Sequence, residues 1–520
     1  MATPNDSPAQ RHLAAGLRSL KLLQDRGQVV VQSADLQRQE RKALIESGFL
    51  QRVIKGWYIF ARPGDAPGDT TAWFSAMHAF VAAYCNARFG DEWHVSPAYS
   101  VSLHAGAGTL PRQVIVHSPR AGNRVLVLPD DRSLLHYQAP DFPPKGKIES
   151  RGGLRVLTLA AALVRIPETF YSTAAADVQI ALAGLADVSD LNRELLAGGH
   201  SVVAGRVAGA LRSIGRPELA DDILGTMRAA GYIVRDTNPF LIPPPVLQST
   251  RVTSPYVHRL QLMWHAMRAE VLRHFPADPG LPGNVDAYLD AARENYRADA
   301  YHSLSIEGYR VTDALIERVA TGTWKPELHA ADADARNAMA AHGYWRAFTT
   351  VQVSLNRILT GANPGAVGRS DHRTWYRALF GASVEAGILS AADLAGYRNA
   401  PVYIRNAAHV PPPHEAVREM MPALFELIID EPSAAVRAVL GHFCFVFIHP
   451  YMDGNGRIGR FLMNAMLASG GYPWTVLRVE WRDRYIAALD AASTRGDVGP
   501  FADFIASAVN ESARTATSVR

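Results

Sequence analysis

Cysteine is scarce in this chain. There are two in 520 residues, Cys85 and Cys444, far apart and at no metal or redox spacing. That excludes a disulfide scaffold and a cysteine-ligated metal cluster, and it suits a reducing cytoplasm. Cys444 lies inside the apolar run Phe443–Ile448, which predicts a buried core thiol. Long apolar runs are missing as well. The apolar stretches are too short and too interrupted to span a bilayer, and Met1–Gln10 is polar, carries Asp6 and has no signal-peptide core, so no membrane partner is expected. Internal repeats and long low-complexity tracts are absent, which excludes solenoids and propellers. The chain also lacks charge of one sign: 53 Lys and Arg face 49 Asp and Glu, for a net charge of +4. Such a balance says little about partners until it is localised.

Ordinary globular composition is what remains, with 48% apolar and 20% charged residues. The length predicts about three domains. Breaks at Arg62–Asp69, rich in Pro, Gly and Asp, and at Asn238–Pro245, with Pro243–Pro245 in a row, divide it into 1–65, 66–250 and 251–515. The expected fold class is mainly α and multidomain. In the first segment, Leu13–Leu23 has helical apolar spacing and Val29–Val31 is a short β-branched strand. Ser33 is placed to cap a short helix, Gln37–Ser47 to form another, and Phe49-Leu50 with Trp57–Phe60 to form a hairpin around Lys55-Gly56. Helix, strand, two helices and hairpin are the parts of a winged helix-turn-helix. Residues 1–62 hold ten Lys or Arg against five Asp or Glu. Arg38, Arg41 and Lys42 fall on the recognition helix and Arg52 and Lys55 on the wing, the placement that DNA binding requires. The next stretch reads as mixed α+β, with a helix at Thr71–Phe89 and strands at Gln113–His117 and Val125–Leu128, followed by alanine- and leucine-rich helices over 157–235. His94, His104 and His117 show no ligand spacing.

The chemistry gathers in the last half, which reads as nearly all helix. Apolar Ala434–Ile448 ends at His449-Pro450, and a Leu-, Met- and Ala-rich helix starts at Arg457. Between them stand Tyr451-Met452-Asp453-Gly454-Asn455-Gly456. Small residues at the start of a helix let backbone N–H groups converge on an anion. Arg457 and Arg460 share a helix face and suit phosphates. Asp453 is a hard oxygen ligand for Mg²⁺ bridging phosphates. His449 can remove a proton near neutral pH. The chemistry implied is attack by a hydroxyl on a nucleotide phosphate.

These twelve residues resemble the motif of the Fic family, His-x-Phe-x-(Asp/Glu)-Gly-Asn-Gly-Arg-x-x-Arg, with Tyr451 in place of the usual Phe. The resemblance covers roughly the last half of the chain. It implies an all-α Fic domain with a β-hairpin flap and AMP transfer from ATP to a Ser, Thr or Tyr hydroxyl of a target protein. His449 would then deprotonate the hydroxyl, and Asp453 would hold Mg²⁺ against the α- and β-phosphates. Gly454, Asn455 and Gly456 would form the anion hole, and Arg457 and Arg460 would hold the outer phosphates. Val402-Tyr403-Ile404, a short alternating strand before Pro411–Pro413, resembles the flap that holds the target by strand addition. Tyr485 resembles a residue that borders the adenine pocket.

Upstream, Ser303-Leu304-Ser305-Ile306-Glu307-Gly308 resembles the inhibitory motif (Ser/Thr)-x-x-x-Glu-(Gly/Asn) of autoinhibited Fic proteins with an N-terminal inhibitory helix. A glutamate projected into the site would pair with Arg460, taking a donor that the γ-phosphate needs. The N-terminal half more loosely resembles winged-helix abortive-infection antitoxin regulators. The readings that compete with AMP transfer are a DNA-binding regulator whose Fic domain senses nucleotide, and a Fic enzyme that uses another donor or removes AMP.

Overall fold

The structure, a computed structural model, describes residues 7–63, 70–240, 254–322, 335–405 and 407–518. The proline break at Pro243–Pro245 lies outside them, as does most of the break at Arg62–Asp69. The protein is mostly helical and divides into two units: Met1–Pro255 with Tyr403–Val410, and Tyr256–Val402 with Pro411–Arg520.

The first unit opens with α1 (Pro8–Asp25), β1 (Val30–Gln32), α2 (Arg38–Glu46), β2 (Leu50–Ile54) and β3 (Trp57–Phe60). The three strands form an antiparallel sheet in the order β1-β3-β2, with Ile59 between Val30 and Gln51. Leu20, Leu23, Val31, Leu44 and Tyr58 bury against one another beneath it. The short helix expected after Ser33 is a turn instead. Asp35 turns its carboxylate back onto the Gln32 N–H at 2.7 Å, and its own N–H donates to the Gln32 carbonyl. A side chain that closes a turn this way competes with helix.

Then come α3 (Thr71–Phe89), β4 (His94–Val95), α4 (Pro97–His104), β5 (Gln113–Ser118), β6 (Arg124–Leu128), β7 (Arg132–Gln138), β8 (Ile148–Arg151) and β9 (Leu154–Leu157). The middle strands make a sheet in the order β4-β5-β7-β6, with β5 and β7 parallel. Six helices follow, from α5 (Leu159–Arg165) through α6 (Phe170–Thr173), α7 (Ala175–Ala183), α8 (Ser189–Ala197) and α9 (Ser201–Ser213) to α10 (Pro217–Ala229).

The second unit is helical. Its elements are α11 (Pro255–His274), α12 (Val285–Glu294), α13 (Tyr296–Ile306), α14 (Asp313–Ala320), α15 (Ala335–Leu359), α16 (Pro364–Glu385), α17 (His414–Asp430), α18 (Ala434–Ile448), α19 (Asn455–Ala468), α20 (Arg482–Arg495) and α21 (Gly499–Ser518). α18 and α19 are apolar nearly all round and lie in the middle of one continuous core, as such helices must. Cys444 is fully buried there. Arg268 on α11 grips Glu431 through two bonds, 2.8 and 3.0 Å, which ties the end of α17 to the bundle.

The strand expected at Val402–Ile404 is not formed. The burial of the run alternates, but it forms no β-ladder, and the Ala407 N–H donates to the Ile404 carbonyl at 3.2 Å. Alternation alone sets which side chains face inward; a ladder also needs a partner edge. Within the first unit the following residues do pair: His409 bridges Thr109, and the Val410 N–H reaches the Gly108 carbonyl at 2.7 Å.

Candidate active site

The loop between α18 and α19 sets the site. α18 is capped at its start by the Ser433 hydroxyl and ends at His449, which stands in the left-handed region at φ +53°. The His449 Nδ1 lies 3.2 Å from the Val446 carbonyl. A carbonyl only accepts, so Nδ1 carries the proton and Nε2 is left as the basic nitrogen. Burial pulls this imidazole down to about 4, so it is neutral at neutral pH.

Tyr451 anchors the loop. It is buried and stacks on Tyr376 with ring centroids 3.7 Å apart. Asn455 clamps the same turn, accepting from the Tyr451 N–H at 2.9 Å and donating to the Tyr451 carbonyl at 2.8 Å. Its side chain is therefore spent on the loop, and what it can offer an anion is its backbone N–H. The first intrahelical bond of α19 runs from Ile458 to the Gly454 carbonyl. The N–H groups of Asn455, Gly456 and Arg457 thus form the unbonded first turn, the positive end of the helix.

Two arginines face this end from within. Arg457 is 1% exposed, held between the rings of Tyr309 and Phe380, each 5.1 Å away, and lies 3.4 Å from Asp453. Arg460 is 3% exposed. Its Nε donates to the Ser303 hydroxyl at 2.8 Å, and its Nη2 donates to the Ser303 carbonyl at 3.0 Å and to Glu307 Oε1 at 2.9 Å. Arg460 Nη1 and Arg457 Nε are buried without an acceptor among the described residues. Buried cationic donors left open are costly and mark a place for an anion.

Glu307 fills that place. A Cβ on Gly456 would overlap Glu307 Oε1 and come within 3.1 Å of Arg460 Nη1, so the carboxylate lies directly over the first turn of α19. Burial would push the Glu307 carboxyl up, but the Arg460 and Arg457 charges outweigh it and hold it below its ordinary value. The helix that delivers it is cut to length. Gly308 stands at φ +85° and ends α13 in a Schellman turn, with Gly308 N–H to Ser305 and Tyr309 N–H to Leu304. That is the physical content of Glu-Gly in the upstream motif.

Asp453 is largely exposed, and its Oδ1 accepts from the Gly454 N–H at 2.6 Å. Among the described residues no cluster of three His, Cys, Asp or Glu is gathered for a metal. A single open carboxylate beside an anion site suits a cation shared with phosphates, such as Mg²⁺, which keeps water and substrate oxygens as most of its ligands.

The structure thus brings together His449, Asp453, Gly454, Asn455, Gly456, Arg457, Arg460, Ser303 and Glu307. It sets Tyr485 apart from open space: the ring is 3% exposed, its hydroxyl pairs with His442 Nε2 at 2.8 Å, and it packs on Phe501 and Phe504. Three residues at the site escaped the sequence reading. Tyr309 and Phe380 sandwich Arg457, and Arg398 reaches the His449 carbonyl at 2.8 Å. Tyr309 follows directly on the run Ser303–Gly308, a signal that was there to be used; Phe380 and Arg398 carried none.

Residues 369–467 match the model of the Fic/DOC family. A protein adenylyltransferase Fic of Nematostella vectensis is 28% identical over 223 residues, 42% of this chain and 47% of that protein. The protein adenylyltransferase fic-1 of Caenorhabditis elegans is 27% identical over 220 residues, 41% of this chain and 40% of its own length. The match therefore spans less than half of these curated relatives. A solved structure of C. elegans Fic-1 aligns at 18% identity with a TM-score of 0.37, covering 63% of this chain and 94% of that one. The loop that holds His449 through Arg460 lies inside the stretch that matches the Fic/DOC family model.

Proposed function

We propose that the protein transfers AMP from ATP to a Ser, Thr or Tyr hydroxyl of a target protein and is restrained by its own Glu307. The observation that carries this reading is the pair of buried, open arginine donors at the start of α19, beside an imidazole whose Nε2 is free. His449 Nε2 takes the hydroxyl proton as the oxygen bonds to the α-phosphorus. The bond from that phosphorus to the bridging oxygen breaks, and pyrophosphate leaves. The N–H groups of Asn455, Gly456 and Arg457 receive phosphate oxygens, and Arg460 holds the outer phosphates. Asp453 would hold Mg²⁺, which neutralises charge on the leaving phosphates. Val402–Ile404 would receive the target as an added strand.

The restraint follows from occupancy. With Glu307 on Arg460 and over Gly456, and Tyr309 against Arg457, the segment that ends α13 engages both motif arginines. ATP then loses its outer-phosphate donors. The test is label transfer from ATP labelled at the α-phosphate in a lysate with Mg²⁺. Glu307→Gly is expected to label protein strongly, wild type faintly, and Glu307→Gly with His449→Ala not at all. Folded protein that labels nothing in any form removes AMP transfer.

A second reading concerns the first unit. Residues 1–65 read as a winged helix, and Arg38, Lys42, Arg52 and Lys55 are exposed there. These cations suit a phosphate backbone, and the reading makes the first unit a DNA-binding regulator working in the cytoplasm. Arg41 belongs elsewhere. Its Nη1 donates to the Ser33 and Leu36 carbonyls and it packs on Tyr58, so it holds the turn before α2.

A further inference from the structure

His449 pays a conformational penalty: a side chain in the left-handed region persists only where its surroundings hold it there. One residue grips the carbonyls on both sides of this turn. Arg398 is 3% exposed. Its Nε donates to the His449 carbonyl at 2.8 Å and its Nη2 to the Ile448 carbonyl at 3.4 Å. Its own backbone N–H reaches the Pro450 carbonyl at 2.8 Å. Three successive carbonyls, 448 to 450, thus accept from a single residue. The same guanidinium also bonds the Ala400 and Pro412 carbonyls.

Peptide units are planar, so pinning three in a row sets the backbone torsions at His449 and Pro450. Those torsions decide where the His449 Cβ points. A guanidinium can do this because its donors are spread in a rigid fork; an ammonium cannot reach as many acceptors at once. Its charge also sits at the C-terminal end of α18, where a cation is favoured.

We propose that Arg398 is a positioning residue for the transfer reaction, holding the His449 turn so that Nε2 meets the target hydroxyl. It acts through His449 and touches neither nucleotide nor target. The inference rests on the AMP-transfer reading. A plain staple for the loop from 398 to 412 would lower stability alone. A positioning role changes the chemistry, and the charge adds a signature. Burial lowers the His449 imidazole, and Arg398 lowers it further, so removing the charge raises the imidazole toward its ordinary value.

The experiment uses the full chain with Glu307→Gly, bearing Arg398→Met or Arg398→Lys. In Arg398→Met, kcat for label transfer is expected to fall roughly 10- to 100-fold with KM for ATP little changed. The acid limb of its pH profile moves to higher pH. Arg398→Lys keeps the acid limb in place and restores only part of kcat. A Met variant with the parent's kcat and acid limb overturns the proposal, as does a loss carried by KM. Should the Met variant fail to fold, an unchanged kcat in the Lys variant overturns it. Should the Glu307→Gly parent transfer nothing, the AMP reading falls and Arg398 is judged by histidine NMR. A His449 titration midpoint that rises in Arg398→Met, or a His449 ring signal displaced in Arg398→Lys, supports it; no change overturns it.

Discussion

Tyr451 shows what one atom does at this site. Its ring anchors the loop on Tyr376, as an aromatic residue at this position should, but its hydroxyl is buried with no partner among the described residues. A buried donor without an acceptor is costly. Tyr451→Phe is therefore expected to raise stability by about 1 kcal/mol in denaturant unfolding, with the loop geometry kept. His449 supports a pH prediction. Its imidazole is lowered to about 4, and on the AMP-transfer reading it serves as base only when neutral. In the Glu307→Gly chain, kcat/KM should be flat through neutral pH and fall only as pH drops toward that value. Glu307 itself raises the His449 imidazole, so its removal moves the acid limb lower still. A limb near the ordinary histidine value would show that the imidazole is not buried as described.

At the scale of an element, α13 is a helix with one working face. Asp299, Ser303 and Glu307 follow at spacings of four and so align. Ser303 and Glu307 hold Arg460, and Asp299 accepts from Tyr344 at 2.6 Å, deep in the bundle. A carboxylate at the C-terminal end of a helix opposes the helix dipole. Glu307 is thus stabilised by the arginines rather than by its own helix. The close approach over Gly456 gives a prediction: Gly456→Ala leaves no room for the Glu307 carboxylate, so its ion pair with Arg460 opens. Hydrogen exchange at the end of α13 should rise, and a wild-type exchange pattern would contradict the packing. Burial also raises the Asp299 carboxyl to about 6. The folded state then binds its proton more tightly than the unfolded one, so this group's contribution to stability is full below the unfolded value and is lost as pH rises through about 6. Asp299→Asn should raise the thermal midpoint more at pH 8 than at pH 5, relative to wild type.

Across the whole molecule, positive charge is uneven although the total is small. Residues 1–62 hold ten Lys or Arg against five Asp or Glu, a net +5 against +4 for the whole chain, and the exposed members lie on α1, on α2 and around the β2–β3 hairpin. On the DNA-binding reading, the intact protein should bind duplex DNA with an affinity that falls steeply with salt. Replacing Arg38, Lys42, Arg52 and Lys55 by Gln should abolish that binding with α-phosphate label transfer by Glu307→Gly unchanged. Binding that ignores both salt and these residues would remove DNA as the partner. No helix among the described residues is long and apolar enough to cross a membrane.

The amino-acid sequence by itself determined the contiguous part of the site. His449 through Arg460 are twelve neighbours, and a glycine loop joins two apolar helices there, so the gathering of these residues at one helix start was legible from spacing alone. Ser303 to Glu307 was legible for the same reason, as one turn of helix ended by a glycine that must take positive φ. Tertiary structure decided everything that joins distant segments. Only packing could place Glu307 over Gly456, 149 positions away in the chain. Only packing could take Tyr485 into the core, leave Val402–Ile404 without a ladder, and bring Arg398 to the turn of His449. Local patterns set the torsions and faces of a segment; which donor meets which acceptor across the core depends on how whole helices pack.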